Sequence, residues 1–186
     1  MLLPTTVGST AHPNLILVGN KGGTFYLIDR NNMGKFNATA DHVVQETTLG
    51  RAFSSPVYFN GHLYVTPNGA AAEEFSISHG VINPTPLSHS AVVFTYPGAN
   101  ASLSANGTTN GIIWEIDNKN ANTLLAYSAS GYNKLLFSAV LDSSVKFAAP
   151  TVADGQVFAA SADKLYLFGL KQVSLRLLLR RRPAEK

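Results

Sequence analysis

The chain has 186 residues, of which 45% are hydrophobic, 13% are charged and none is cysteine. That is enough for one domain with a sizeable core, and it rules out a disulfide framework or a thiolate metal site. The formal net charge of +3 comes from the end of the chain: Lys171, Arg176, Arg180, Arg181, Arg182 and Lys186 against Glu185 give +5, while residues 1–170 carry 8 basic and 10 acidic side chains, a net −2. A near-neutral body excludes a nucleic-acid footprint.

Residues 1–14, with Pro4, Gly8 and Pro13, read as a loop. The first strand-rich unit follows, with apolar runs at 15–18, 23–29 and 43–48. The second unit has candidate strands at 55–60, 62–66, 72–77 and 90–96. The third has them at 102–105, 111–117, 123–128 and 134–139. The last has an inner strand ending at Asp154-Gly155, then 156–161 and 164–168. Residues 171–186 are different material, a basic tail. As a helix the tail groups Leu175, Leu178 and Leu179 against Arg176, Arg180 and Arg181, an arrangement suited to an acidic membrane surface or a partner. A mis-spliced or frame-shifted end explains the same abrupt change of composition.

One phrase recurs: Pro56-Val-Tyr-Phe-Asn-Gly61, Ser102-Leu-Ser-Ala-Asn-Gly107 and Pro150-Thr-Val-Ala-Asp-Gly155, with steps of 46 and 48 residues between the final glycines. Asn-Gly or Asp-Gly after an apolar run marks a two-residue hairpin, because a type I′ turn needs positive φ at both central residues. Leu15, Leu63 and Val157 take matching places at 48 and 94 residues' separation, which supports the period independently. Strand-only units near this length predict an all-β propeller of four-stranded antiparallel blades. Runs such as Leu165-Tyr-Leu-Phe168 are apolar on both faces, as expected of sheets covered on both sides. A β-sandwich or barrel with accidental repetition is the alternative.

About three and a half blades are present: the first unit lacks its inner strand and the last its outer one. The expectation is therefore the C-terminal part of a larger ring, partnered by its remaining blades. Made alone, such a piece leaves two blade faces bare and is expected to self-associate. No run approaches the ~18 apolar residues that span a bilayer, and Met1-Leu-Leu-Pro4 has no basic n-region or apolar h-region. A cytoplasmic protein, or part of an exported one, fits these ends; the incomplete ring favours the second, with an extracytoplasmic location for the full-length protein.

Asp154-Gly-Gln-Val-Phe-Ala-Ala-Ser-Ala-Asp-Lys-Leu-Tyr-Leu-Phe168, Gly22-Gly-Thr-Phe-Tyr-Leu-Ile-Asp29 and Asn60-Gly-His-Leu-Tyr-Val65 resemble the repeat of pyrroloquinoline-quinone-type (quinoprotein-like) propellers. The segment from Lys21 to Asn37, Tyr96-Pro-Gly-Ala99 and Ser104-Ala-Asn-Gly107 are similar to uncharacterised bacterial pyrrolo-quinoline quinone proteins, a resemblance over about residues 1–170. It implies a repeat fold and, for catalytic members, oxidation of alcohols or sugars by the quinone beside Ca²⁺ over the ring axis. The alcohol-oxidising members commonly clamp the quinone with a vicinal Cys-Cys pair, which this chain lacks. The stacked Trp of that site has no counterpart either: Trp114, the only Trp, lies inside a strand and reads as blade packing. No catalytic residue carries over, so the quinone name fits the repeats better than a cofactor.

With the blades arranged as expected, Lys21, Arg51, Lys119 and Lys146 share one loop face, one from each unit. Like charges around a channel mouth focus field and attract a carboxylated or phosphorylated ligand; the plain alternative is that exposed loops carry Lys and Arg in any protein. Asp29, Asp117 and Asp163 stand at strand ends, where Asp bonds turn backbone, and Glu73-Glu74 reads as a solvated edge. No D-x-D-x-[DN]-G loop, H-x-x-x-H pair or G-x-S-x-G elbow is present, so no metal or nucleophile site is expected. Gly19-Asn-Lys-Gly-Gly23 joins two strands rather than opening a helix, and Asn37, Asn100 and Asn106 head acceptor sequons. The leading reading is a non-catalytic binding scaffold of an exported bacterial protein. The alternative is a fragment of a quinone-dependent dehydrogenase, needing pyrroloquinoline quinone and Ca²⁺ in a complete ring.

Overall fold

A computed structural model describes residues 1–119, 122–143 and 145–169; the basic tail expected at 171–186 lies outside the described residues. The fold is all-β: among the described residues fifteen strands form four antiparallel sheets. Among the described residues no helix is long and apolar enough to cross a membrane.

The first sheet holds β1 (Leu15–Gly19), β2 (Thr24–Asp29) and β3 (Gln45–Thr48) in chain order. Residues 1–3, read from sequence as loop, lie along its free edge: Leu2 bridges Ile16, Leu3 N donates to Leu15 O, and Leu17 N donates to Met1 O. Leu3 and Val7 then enter the core. The expected missing inner strand is thus met in part by the first residues of the chain.

The second sheet is built of β4 (Val57–Phe59), β5 (His62–Val65), β6 (Ala71–Ser78), β7 (Val81–Ile82) and β8 (Ser88–Val93). The long β6 pairs with β8 at its start and with β7, which the sequence did not signal, at its end. The third sheet runs β9 (Ser102–Asn106), β10 (Thr109–Asp117), β11 (Thr123–Ser128) and β12 (Leu135–Val140). The fourth has β13 (Thr151–Ala153), β14 (Gln156–Ala160) and β15 (Leu165–Gly169).

Two of the three repeat phrases make the expected turn. Asn60 and Gly61 have φ of 48° and 82°, and Asp154 and Gly155 have 50° and 71°, the doubly positive pattern of type I′. The middle copy shifts by one residue. Asn106 pairs with Thr109, so Gly107 (φ 58°) takes the first central position, where a type II′ turn places Gly. The slip is absorbed by a register irregularity between Thr109 and Ile112, with Asn110 at φ 54°, a bulge.

The core is three clusters, each between consecutive sheets. Leu15, Leu17, Phe25 and Leu27 of the first sheet meet Leu63, Val65, Phe75 and Ile77 of the second. Tyr64, Ala72 and Phe94 of the second meet Ile113, Leu125 and Tyr127 of the third. Ile116 and Leu124 of the third meet Val157 and Ala159 of the fourth. Neighbouring sheets are also tied between positions about one repeat apart: Asn60 Nδ2 donates to Thr108 O, Asn100 Nδ2 to Phe147 O, and Ser102 Oγ to Pro150 O. The sequence register of the first unit is off by one. Leu15 and Leu63 face each other across one interface, whereas Ile16 points the way Leu63 points; successive strand residues alternate faces, so a single-residue slip reverses the side.

Candidate functional site

The turns β1–β2, β5–β6 and β10–β11 and the loops that lead into β4, β9 and β13 are stitched together on one face. Ala52 N donates to Asn20 O at 3.2 Å and Asn68 N to Arg51 O at 3.0 Å. Asn118 Nδ2 donates to Tyr96 O at 3.4 Å and Val145 N to Asn122 Oδ1 at 3.0 Å. Lys21, Arg51, Lys119 and Lys146 all stand on these segments, and all four are exposed.

Two of the four are joined by a row of rings. Lys21 Nζ stands 5.8 Å from the Phe53 ring centroid. Phe53 meets Tyr96 edge-to-face at 5.1 Å, and Tyr96 meets Phe147 at 6.0 Å. Lys146 Nζ stands over the middle ring, 5.0 Å from the Tyr96 centroid. Arg51 and Lys119 are not joined to it: among the described cation–ring contacts only Lys21 and Lys146 take part. Arg51 gives the face a backbone acceptor, and Lys119 N donates to Asp117 Oδ1. Neither lysine of the row belongs to any of the described ion pairs, so both charges are available to a ligand. Tyr96 and Phe147 are 44% and 52% exposed, which leaves ring area open to solvent beside Lys146. The sequence did carry a signal for part of this row: Phe53 and Phe147 each stand three residues before the proline, Pro56 or Pro150, that opens a repeat phrase.

Beneath the face lies a buried carboxyl that sequence reading missed. Glu115 on β10 accepts from Thr66 Oγ1 and from Tyr132 OH through Oε1. Its Oε2 and the Tyr127 hydroxyl are buried with no hydrogen-bond partner. Burial pushes Glu115 up to about 7, against the Thr66 and Tyr132 bonds that pull it down. Tyr127 is pushed up to about 12 by burial and then by the Glu115 and Asp117 charges. A neutral Glu115 carboxyl suits this enclosure, since an ionised one would leave an uncompensated charge in a dry interior.

The strand-end aspartates behave as expected in two cases: Asp29 Oδ1 accepts from Asn31 N and Asp117 Oδ1 from Lys119 N. Asp163 instead accepts from the Ser143 and Ser161 hydroxyls. Asp29 also meets His12 Nδ1 at 2.9 Å, and that contact first, then the Asn31 backbone bond, holds its carboxyl below the ordinary value. The Glu73-Glu74 pair is not a solvated edge: Glu74 is buried, because alternation along β6 turns it into the second interface.

Among the described residues no three His, Asp or Glu side chains converge to hold a metal. Trp114 packs with the cluster between the third and fourth sheets and donates Nε1 to Ser104 Oγ at 2.8 Å, away from the loop face.

No family model matches the chain, and no curated protein matches it. Among solved structures, the chain is similar to the computationally designed Ika8 protein, at TM-score 0.58 and 12% identity over 84% of this chain and 43% of that one. It is also similar to the computationally designed Ika4 protein, at TM-score 0.55 and 11% identity over 88% of this chain and 89% of that one. The chain therefore spans less than half of Ika8 and most of Ika4, a likeness of fold alone.

Proposed function

We propose that the four sheets are successive blades of a propeller-like array whose loop face is a non-catalytic binding surface. Its ligand is a planar anion, held with its ring against Tyr96 and Phe147 and its negative groups against Lys21 and Lys146. The observation that carries this reading is the row of rings contacted by two lysines that belong to none of the described ion pairs. An ammonium beside an aromatic face gains about 0.5–1 kcal/mol at an exposed site, and the same ammonium keeps its charge for a carboxylate. Pyrroloquinoline quinone, a planar tricarboxylate, belongs to this ligand class without Ca²⁺-assisted chemistry. Three core clusters in sheet order, and bonds linking positions about one repeat apart, support the blade arrangement.

In this reading the array belongs to an exported bacterial scaffold protein, and its two end faces are covered by blades of the same kind. One end presents Ile16, Val18, Tyr26 and Ile28, and the other presents Phe158, Leu165 and Leu167. For the chain alone, the covering blade comes from a second copy.

Titration of benzene-1,3,5-tricarboxylate against the full chain tests the binding reading. Saturable binding is expected, with amide shifts centred on Tyr96 and Phe147, and at least tenfold weaker binding of cyclohexane-1,3,5-tricarboxylate, which has the charge but no aromatic ring. Equal affinity for both, or no loss in the Lys21→Ala/Lys146→Ala double variant, contradicts it.

A further inference from the structure

At the opposite end of the sheets, the second and third enclose a site that the loop-face reading does not use. The β5–β6 register sets His62 against Ser76 and Tyr64 against Glu74, so His62 and Glu74 share the face turned toward the third sheet. Glu74 Oε1 stands 2.8 Å from His62 Nδ1, off the line of an ideal N–H···O bond. Glu74 Oε2 accepts from Ser88 Oγ, which itself accepts from Tyr132 N at 2.9 Å. The carboxylate is therefore fixed from both sheets, and its side chain is only 6% exposed.

The carboxylate fixes which edge of His62 is open to the cavity. A bare Nδ1 lone pair facing a carboxylate at 2.8 Å would be repelled by it, so Nδ1 is the nitrogen that carries a proton and Nε2 is left for other partners. Nδ1 is buried while the ring is 37% exposed, so the accessible edge is the one that carries Nε2. That edge lines a cavity of about 390 Å³ together with Asn60, Asn110, Ser128, Ser130 and Lys134, a volume in the range of small-molecule sites. The Ser128 and Ser130 hydroxyls lie 2.7 Å apart at its wall. Lys134 is exposed and belongs to none of the described ion pairs.

From this geometry we infer that the cavity is a second binding site, for a polyhydroxylated carboxylate of the sugar-acid type. A ligand hydroxyl hydrogen-bonds with His62 Nε2, further hydroxyls exchange bonds with Ser128, Ser130 and Asn110, and the carboxylate meets the Lys134 ammonium. Glu74 acts as a positioning residue, holding the ring with Nδ1 toward itself and Nε2 toward the cavity.

D-gluconate is the probe, titrated into the full chain and followed by calorimetry and by NMR of the His62 ring. The free protein is expected to show an Nδ1–H ring, and gluconate to bind saturably while moving the Nε2 resonance. D-glucitol, which lacks the charge, and acetate, which lacks the hydroxyls, are each expected to bind at least tenfold more weakly. Lys134→Met, at an exposed position, is expected to bring gluconate down to the glucitol level; Glu74→Gln is expected to weaken it while shifting ring protonation toward Nε2. The inference is overturned by absence of saturable gluconate binding, by a free-state ring protonated on Nε2 alone, or by unchanged affinity in Lys134→Met. Gluconate shifts centred on Tyr96 rather than His62 also overturn it; because gluconate has no aromatic ring, each of these results leaves the loop-face reading to its own test.

Discussion

Replacing Glu115 by Gln makes stability depend on pH in a way that exposes the buried carboxyl. Glu115 is lifted from an ordinary 4.5 to about 7, chiefly by burial. Between those values the folded protein keeps a proton that the unfolded chain has released. Stability is therefore highest below the unfolded pKa and falls as pH rises through the window, at up to about 1.4 kcal/mol per pH unit. From pH 5 to pH 8 the loss comes to about 2–3 kcal/mol, a large share of the 5–15 kcal/mol typical of a domain. In Glu115→Gln the Oε1 acceptor for Thr66 and Tyr132 is retained and nothing ionises. Urea unfolding at pH 5, 6, 7 and 8 is the assay. The variant is expected to match the wild type within about 1 kcal/mol at pH 5 and to exceed it by about 2 kcal/mol at pH 8. Glu73 and Asp117, also raised chiefly by burial, titrate in both proteins and cancel in the difference. Asp29 and Asp142 are lowered, chiefly by His12 and by Lys164 respectively, and act below this window. A difference between wild type and variant that is the same at pH 5 and pH 8 refutes the reasoning.

Two glycines separate steric closure from backbone freedom. Gly98, at φ +85°, has Thr66 O at 2.4 Å from where a Cβ would stand, whereas Gly107, at φ +58°, has nothing within 4 Å; Gly98→Ala is expected to cost about 3 kcal/mol in urea unfolding and Gly107→Ala about 1 kcal/mol. Because Gly98 seats the loop that carries Tyr96, Gly98→Ala is also expected to lose tricarboxylate binding, while Gly107→Ala keeps it. At the bare end of the fourth sheet, Leu165 and Leu167 are 69% and 55% exposed on one face. The paired change to Lys is expected to convert self-associated chains to monomers in sedimentation velocity; a wild type already monomeric at tens of micromolar contradicts the end-face reading.

Much of the fold was written locally. Asn60-Gly61 and Asp154-Gly155 make the turns their chemistry requires, and the apolar runs around them became strands close to the expected limits. Parity was less legible. A 48-residue offset equates Leu15 with Leu63, but pleating lets one residue decide the side, and turn length around each hairpin sets that residue. Glu73-Glu74 looked exterior because two adjacent charges are usually solvated; on β6 they point to opposite faces, and Glu74 finds His62 and Ser88 inside. The ring row was invisible for another reason: Phe53, Tyr96 and Phe147 come from three separate loops and meet only after the sheets stack. Lys21 and Lys146 could be placed on the right face from the strand count alone, but not beside an aromatic neighbour.

The absence of cysteine makes the stacking order directly measurable by double electron–electron resonance, with nitroxide labels placed pairwise at cysteines replacing Asn60, Asn106 and Asp154, all exposed beside the inner turns. Sheets packed face to face stand about 10 Å apart, so the 60–106 and 106–154 pairs are expected to give similar short distances and the 60–154 pair a clearly longer one. A 60–154 distance equal to or shorter than either neighbouring pair contradicts the consecutive arrangement of the four sheets, and with it the shared loop face.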